Sequence, residues 1–367
     1  MASHFGTKFL YCSMVTLLSP CLVVPCPKKY KGTKNMNYLR NIQIGNVEIK
    51  GNIFLAPMAG ITDMVFREIC KDHGAALCYT ELISAQGLIY ESAKTHMLTS
   101  TSPNERPVVL QIFGSEPSIL SEAAKKIQHL PFDILDINMG CPAPKVVNNS
   151  CGSALLNDPP LIGRIVKAVS SAINKPLTIK IRKGINGKVT ATEVAKQAEA
   201  NGASAITVHG RTREQQYEGV VDLSVIAQVK SNVSIPVFAS GDVVDIKSCI
   251  NTFKTTNCDA VMIGRGSFGN PWVFESINHY FKTGEELLEP TAKQKIEMCL
   301  THAKRLCNYK SEKVAIREMR KQSGWYIKGI KGAASLRVSI NKCSTLNELT
   351  TTLTSLLDDD YHTKTSA

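Results

Sequence analysis

The sequence predicts an α/β protein: a closed (β/α)8 TIM barrel followed by a small C-terminal all-α helical bundle. Three observations point there. Eight short apolar, β-branched runs alternate with helical patterns between residues 53 and 264, a density that suits a barrel of parallel strands. No G-x-G-x-x-G follows the first run, which argues against an open dinucleotide-binding sheet. After residue 285 the strand signals stop, and apolar residues recur only at three-to-four spacing.

The predicted strands are IFLAP (53–57), ALCYTEL (76–82), VVLQIF (108–113), ILDIN (134–138), LTIKIR (177–182), AITVH (205–209), PVFAS (236–240) and AVMIG (260–264). Each is apolar enough to be buried on both faces, as parallel strands are. Helical stretches lie between them at 116–129, 158–172, 190–201 and 243–254, with Gly74 and Asn201-Gly202 as helix stops. Three further helices are expected at 293–307, 312–329 and 345–357. The resulting division is a leader at 1–35, a barrel at 36–285, a helical domain at 286–357 and a disordered acidic tail at 358–367. In the leader, the apolar run from Phe9 to Val24 is broken by Pro20 and has no small-x-small cleavage site. It reads as a disordered leader or a start placed too early, with Met36-Asn37-Tyr38 opening the domain. No other segment is apolar and long enough to cross a bilayer.

Charge divides the chain in the same place. The net charge is +12, yet residues 36–290 are neutral overall. Residues 291–342 hold thirteen Lys and Arg against Glu297, Glu312 and Glu318. A neutral body with a basic appendage suggests a catalytic domain plus a surface for a polyanion such as nucleic acid, although a solvated helical face has the same composition. The twelve cysteines include no C-x-x-C pair and no Cys/His cluster with ligand spacing, so no metal site is expected. They read as reduced, mostly buried thiols of a cytoplasmic protein.

Unusual polar residues fall at the C-terminal ends of the predicted strands, where this fold builds its sites. They include Gln111, Asn138, Cys141, Lys180, Arg182, His209, Ser240-Gly241-Asp242 and Gly264-Arg265. Gly241, Gly264 and Gly266 let backbone N–H groups approach an anion, and a helix expected at Phe268–Ile277 would aim its positive end the same way. Two ordinary glycine turns would look alike. Lys180 faces inward from an apolar strand and needs an anionic partner, such as the N1–O2 edge of a reduced flavin, unless it snorkels outward. Gln111 suits the edge of a flat heterocycle. His209 is a core-edge histidine or a donor to such a ring. Cys141 lies just past strand four with Pro142 stiffening its turn, which puts the thiol at the mouth. A thiol with an ordinary pKa of ~8.5 is protonated near neutrality and can act as an acid. Cys151, before Gly152, reads as packing.

At these residues the sequence resembles the tRNA-dihydrouridine synthases, most nearly the bacterial B-type branch. The matching pieces are APMAGITDMVFR (56–67), YTELISAQGL (79–88), VVLQIFG (108–114), DINMGCPAPKVVNNSCGSALL (136–156), KIRKG (180–184), VHGRTREQQYEG (209–219), SGDV (240–243), MIGRGSFGNPW (262–272) and REMRKQSGWYIKG (317–329). The resemblance covers Met36 to Leu357. It implies an FMN-dependent, NADPH-reduced enzyme that saturates the C5–C6 bond of selected uridines in tRNA, and a monomer without a stable protein partner is expected. It further implies that Cys141 donates the proton to C5, and that Pro57, Met58 and Ala59 pack on the flavin. Gln111, Lys180 and His209 would hold its ring, and Ser240, Gly241, Asp242, Gly264 and Arg265 its ribityl and phosphate groups. Asn138 and Arg182 would grip the uracil, and Arg317, Arg320 and Lys321 the tRNA backbone. Ser240 departs from the family's usual Asn, which puts that side-chain contact in doubt. A small-molecule FMN oxidoreductase of the dihydroorotate dehydrogenase or ene-reductase type would share the flavin site but not the basic appendage. An RNA-binding barrel without turnover would have no use for Cys141, Lys180 and Arg265.

Overall fold

Alternation inside a closed sheet decides where every side chain goes. The computed structural model describes residues 38–364, so the expectation for the leader lies outside the described residues. Eight strands form the barrel: β1 (Ile53–Leu55), β2 (Leu77–Tyr79), β3 (Val108–Phe113), β4 (Ile134–Met139), β5 (Leu177–Ile185), β6 (Ala205–Thr212), β7 (Val237–Ser240) and β8 (Ala260–Ile263). All neighbours are parallel, β8 returns to β1, and β5 pairs with β6 to close the ring. The closed barrel is the one the sequence predicts.

One parity of each strand faces the helices. Ile53, Leu110, Ile137, Ile179, Val208 and Val261 pack there in one continuous core. The other parity fills the interior, where Phe54, Leu77, Val109, Ile134, Phe238 and Ala260 form an apolar base. A hairpin the sequence reading did not anticipate, Ile42–Ile44 paired with Val47–Ile49, lays Ile42, Ile44 and Ile49 against that base and stops the lower end. Above it the inward residues turn polar.

The helices begin where short polar side chains satisfy free backbone donors. Asp63 accepts from the Phe66 N–H at the start of α1 (Met64–Asp72) at 3.0 Å. Four more helices of the outer ring are α2 (Pro117–Ile127), α3 (Pro159–Ser170), α4 (Ala191–Ala200) and α5 (Leu223–Asn232). Then come α6 (Ile246–Thr256) and α7 (Trp272–Thr283). The helix expected at Phe268–Ile277 starts later, because Gly269 takes φ +61° and Pro271 precedes the first turn. A 3-10 turn at Arg265–Ser267 stands there instead.

Four helices follow rather than the three expected: α8 (Ala292–Tyr309), α9 (Glu312–Tyr326), α10 (Ala333–Lys342) and α11 (Leu346–Lys364). The extra one, α10, buries only Ala333 and Ile340, too thin a stripe to read as a period. The last helix continues to Lys364, into the stretch expected to be a disordered tail, since adding residues to a formed helix costs little.

The helical unit sits on α1. Val65 and Ile69 share a core with Ile296, Cys299, Ala303, Met319 and Tyr326. Phe66 stacks on His302 with centroids 5.6 Å apart, and Phe268 on Trp325 at 4.2 Å. Lys310, only 11% exposed, reaches Asp63 at 3.1 Å and Glu318 at 2.6 Å. A Cβ at Gly269 would stand 2.5 Å from the backbone carbon of Trp325. Gly269→Ala should therefore lower stability by about 2 kcal/mol or more through left-handed strain plus backbone overlap, read as a fall in Tm. Burial lowers the His302 pKa to about 4, so the folded ring stays neutral while the unfolded one protonates below ~6.5. Stability should then fall as pH drops from about 6.5 toward 4, and His302→Phe should flatten that decline in thermal melts.

Candidate active site

Above the apolar base, the inward parity carries Gln111 on β3, Asp136 and Asn138 on β4, Thr178, Lys180 and Arg182 on β5, and Thr207 and His209 on β6, with Arg211 beyond. Asp136 is fully buried and accepts from Thr178 Oγ1 at 2.6 Å and Gln111 Nε2 at 2.7 Å. Asn138 Nδ2 donates to Gln111 Oε1 at 3.0 Å. Burial lifts the Asp136 carboxyl to about 6, against the pull of Thr178, Gln111 and Lys180. Gln111 therefore has an edge committed to its neighbours, with one amide hydrogen left over.

Asn138 also builds the Cys141 loop. Its Oδ1 accepts the N–H groups of Gly140 at 3.1 Å and Cys141 at 2.8 Å. The Cys141 carbonyl accepts from both the N–H and the hydroxyl of Ser153, each at 3.0 Å. That return is possible because Gly152, at φ +60°, has no Cβ, which would lie 2.8 Å from the Cys141 oxygen. The Cys141 thiol is half-buried, within the field of Lys180 and Arg182. Cys151 is buried, donates to the Asn149 carbonyl at 3.1 Å, and has its pKa raised by burial. Of the two cysteines in this loop, Cys141 is the more open.

Lys180 has no hydrogen-bond partner among the described residues. Burial first, and Arg182 second, push its pKa down to about 8. His209 Nε2 is buried without a hydrogen-bond partner. Burial and four cations, Lys180, Arg182, Arg211 and Arg265, drive that ring to about 2, so it is neutral at any working pH. An ammonium and an imidazole nitrogen, both without hydrogen-bond partners among the described residues, suit a flat, anionic, hydrogen-bonding ring.

The opposite corner is made by β7 and β8. Gly241 takes φ +120°, and a Cβ there would lie 3.0 Å from the His209 ring. Asp242 receives Arg211 at 2.9 and 2.6 Å and Arg265 at 3.0 Å. Burial works against its charge, but Arg211, the Val221 N–H and Arg265 outweigh it and hold the carboxyl below its ordinary value. Asp242 thus aims Arg265 and is not itself an anion ligand. Ser240 stands beside it, largely buried. Pro57, Met58 and Ala59 form the loop after β1, folded by Thr62 Oγ1 on the Met58 N–H at 3.0 Å and by Glu81 on the Gly60 N–H. A Cβ at Gly264 would lie 3.6 Å from the Met58 sulfur, so that loop and the Gly264 corner share one rim.

Several residues here escaped sequence reasoning. Arg182 Nη1 holds the carbonyls of Thr212 and Gln216 at 2.9 and 2.8 Å, and Arg211 holds those of Glu218 and Gly219 at 3.0 and 2.5 Å. Together they present Tyr217, 53% exposed, whose ring centre is 4.9 Å from Arg265 and 5.6 Å from Arg182. No periodic signal marks Tyr217. Asp136 did have one, since it lies two residues before Asn138 on the same face of an apolar strand.

A cavity of about 1010 Å³ lies in the groove between this rim and the helical unit. It is bounded by Gly60, Glu81, Cys151, Tyr309 and Lys310, and its lining includes neither Cys141 nor Lys180. On α9, Arg317 and Lys321 are exposed, with Lys321 lying 5.2 Å over Trp325. Arg320 is instead half-buried, its Nε donating to the Cys343 carbonyl at 2.9 Å.

The dihydrouridine synthase (Dus) family model matches residues 54–361. A probable tRNA-dihydrouridine synthase of Rickettsia bellii is 39% identical over 302 residues, covering 82% of this chain and 93% of that protein. The tRNA-dihydrouridine synthase B of Pseudomonas aeruginosa is 38% identical over 302 residues, with coverages of 82% and 91%. Among solved structures, a 2-naphthoyl-CoA reductase bound to 2-naphthoyl-CoA gives a TM-score of 0.54 at 12% identity, over 67% of this chain and 52% of that one. Histamine dehydrogenase from Rhizobium sp. 4-9 gives 0.51 at 11%, over 79% and 52%. This chain spans about half the length of each of those two, and the likeness speaks for the fold alone. The family model and the relatives both run from the barrel into the helical unit, and the chain belongs to the dihydrouridine synthase family, on its B-type branch, flavin-dependent oxidoreductases that reduce uridine in tRNA.

Proposed function

We propose that this chain uses FMN, re-reduced by NADPH, to saturate the C5–C6 bond of a tRNA uridine, with Cys141 as the proton donor. The observation that carries the reading is the half-buried Cys141 thiol beside Lys180, an ammonium with no hydrogen-bond partner among the described residues. When bound, the flavin supplies the hydride for C6 of the pyrimidine.

The chain's own residues do the rest. Pro57, Met58 and Ala59 offer the flavin a packing surface at the rim. Gln111 has one amide hydrogen left for the ring edge, and Lys180 and His209 offer their unpartnered nitrogens. Gly241, Gly264 and Arg265 receive the phosphate, with Ser240 alongside and Asp242 fixing the Arg265 fork. Asn138 keeps a second Nδ2 hydrogen and Arg182 its Nη2 group, and both suit the carbonyls of uracil. Charge gathering toward O4 is stabilised by those donors, and the Cys141 thiol delivers its proton to C5. The target base must be turned out of its stack, which costs a few kcal/mol. Phosphate contacts from the basic helices offset that cost. A tRNA substrate sets the site of action in the cytoplasm, and no helix among the described residues is long and apolar enough to cross a membrane.

The purified protein should be yellow. Cys141→Ala should keep its flavin and its reduction by NADPH, while dihydrouridine formation falls by ~10²–10⁴-fold, measured by single-turnover reoxidation with tRNA. A colourless protein, or a flavoprotein that reduces a free dihydropyrimidine precursor but not tRNA, overturns the reading. Replacing Arg317 and Lys321 by Gln should raise KM for tRNA and flatten its salt dependence by about one unit of slope for each phosphate no longer neutralised, with flavin content unchanged. Arg320→Gln should additionally lower Tm, because its guanidinium caps α10.

A further inference from the structure

The hydrogen bonds climbing the inner wall from Thr178 to Cys141 can run in only one direction. Carboxamides are ambiguous in such a column, because their nitrogen and oxygen occupy nearly equivalent places and either end can face a neighbour. A carboxylate is not ambiguous, since it only accepts. Asp136, fully buried, takes Thr178 Oγ1 on one oxygen at 2.6 Å and Gln111 Nε2 on the other at 2.7 Å. Gln111 must then turn its Oε1 to Asn138, whose Nδ2 meets it at 3.0 Å. That leaves Asn138 Oδ1 for the Gly140 and Cys141 N–H groups at 3.1 and 2.8 Å. Those two bonds fix the backbone at the point where the thiol enters the mouth.

We propose that Asp136 is a positioning residue for Cys141: its acceptor-only carboxylate sets the direction of the Gln111–Asn138 column and thereby holds the loop that carries the thiol. The proposal rests on reading Cys141 as the proton donor, and it does not require Asp136 to touch substrate. The groups facing Asp136 are consistent with a carboxylate held ionised in the interior. Thr178 and Gln111 donate to it, Lys180 is the nearby cation, and the Tyr79 hydroxyl faces the same space. With Asp136→Asn, an amide nitrogen can be presented to Gln111, both amides above can invert, and an N–H group of Asn138 would then oppose the N–H of Cys141.

The test uses the holoenzyme and two readouts: alkylation of Cys141 by iodoacetamide, followed by peptide mass spectrometry, and flavin half-reactions. Asp136→Asn should change the alkylation rate by ~10-fold and slow reoxidation by tRNA by ~10–100-fold. Asp136→Asn combined with Gln111→Glu moves the carboxylate one step up the column, where it accepts from both neighbours and restores the orientation Asn138 needs. That double variant should return alkylation to within ~3-fold of wild type. Thr178→Val removes a donor without altering direction and should leave alkylation unchanged. Wild-type alkylation in Asp136→Asn, no recovery in the double variant, or an equal change in Thr178→Val overturns the proposal. If Asp136→Asn does not fold, the double variant, which keeps the charge and the shape, and Thr178→Val decide. A wild-type enzyme whose reduced flavin ignores tRNA overturns the proposed function instead, and the alkylation arm still decides the column.

Discussion

The pairing of β5 with β6 closes the ring, and the mouth depends on it. In that register Thr207 lies opposite Lys180 and His209 opposite Arg182. On the far side of β5, Lys180 lies opposite Asn138, and Thr178 opposite Asp136. Opening the seam by one residue would send all of these to the helix-facing side, because strand parity is all-or-none. The same seam sets the loop beyond β6, since Arg182 on one strand and Arg211 on the other hold its carbonyls.

Charge is the second constraint. Lys180, Arg182, Arg211 and Arg265 converge on a space that His209 also enters, and burial first and those four cations second depress the histidine. Among the described residues, the carboxylates set against them include Asp136 below, Asp242 beside Gly241, and Glu214 near Arg182. Concentrating cations at one end of a low-dielectric barrel is unfavourable in the empty protein and favourable once an anion is seated. That is the electrostatic pattern expected of a pocket preorganised for phosphate and for charge developing on a ring.

The barrel was legible because its strands are largely apolar on both faces, and the candidate site was proposed where polar residues interrupt them at one end. Cys141 stood out through Gly140 and Pro142, which mark a turn rather than a core position. What could not be read has physical reasons. The fourth C-terminal helix buries too few side chains to show a period, and the lower hairpin is too short to separate from a loop. Tyr217 acquires meaning only from neighbours distant in sequence. Arg320 looked like its basic neighbours until the Cys343 carbonyl claimed it. Asp242 looked like a ligand until two arginines did the same.

The hairpin stopper beneath the barrel has a kinetic meaning. Among the described residues, Ile42, Ile44 and Ile49 plug the base and leave the opposite, polar end as the open one. A small electron donor and an RNA that both had to reach the interior would share that end, and each would then compete with the other in steady-state kinetics.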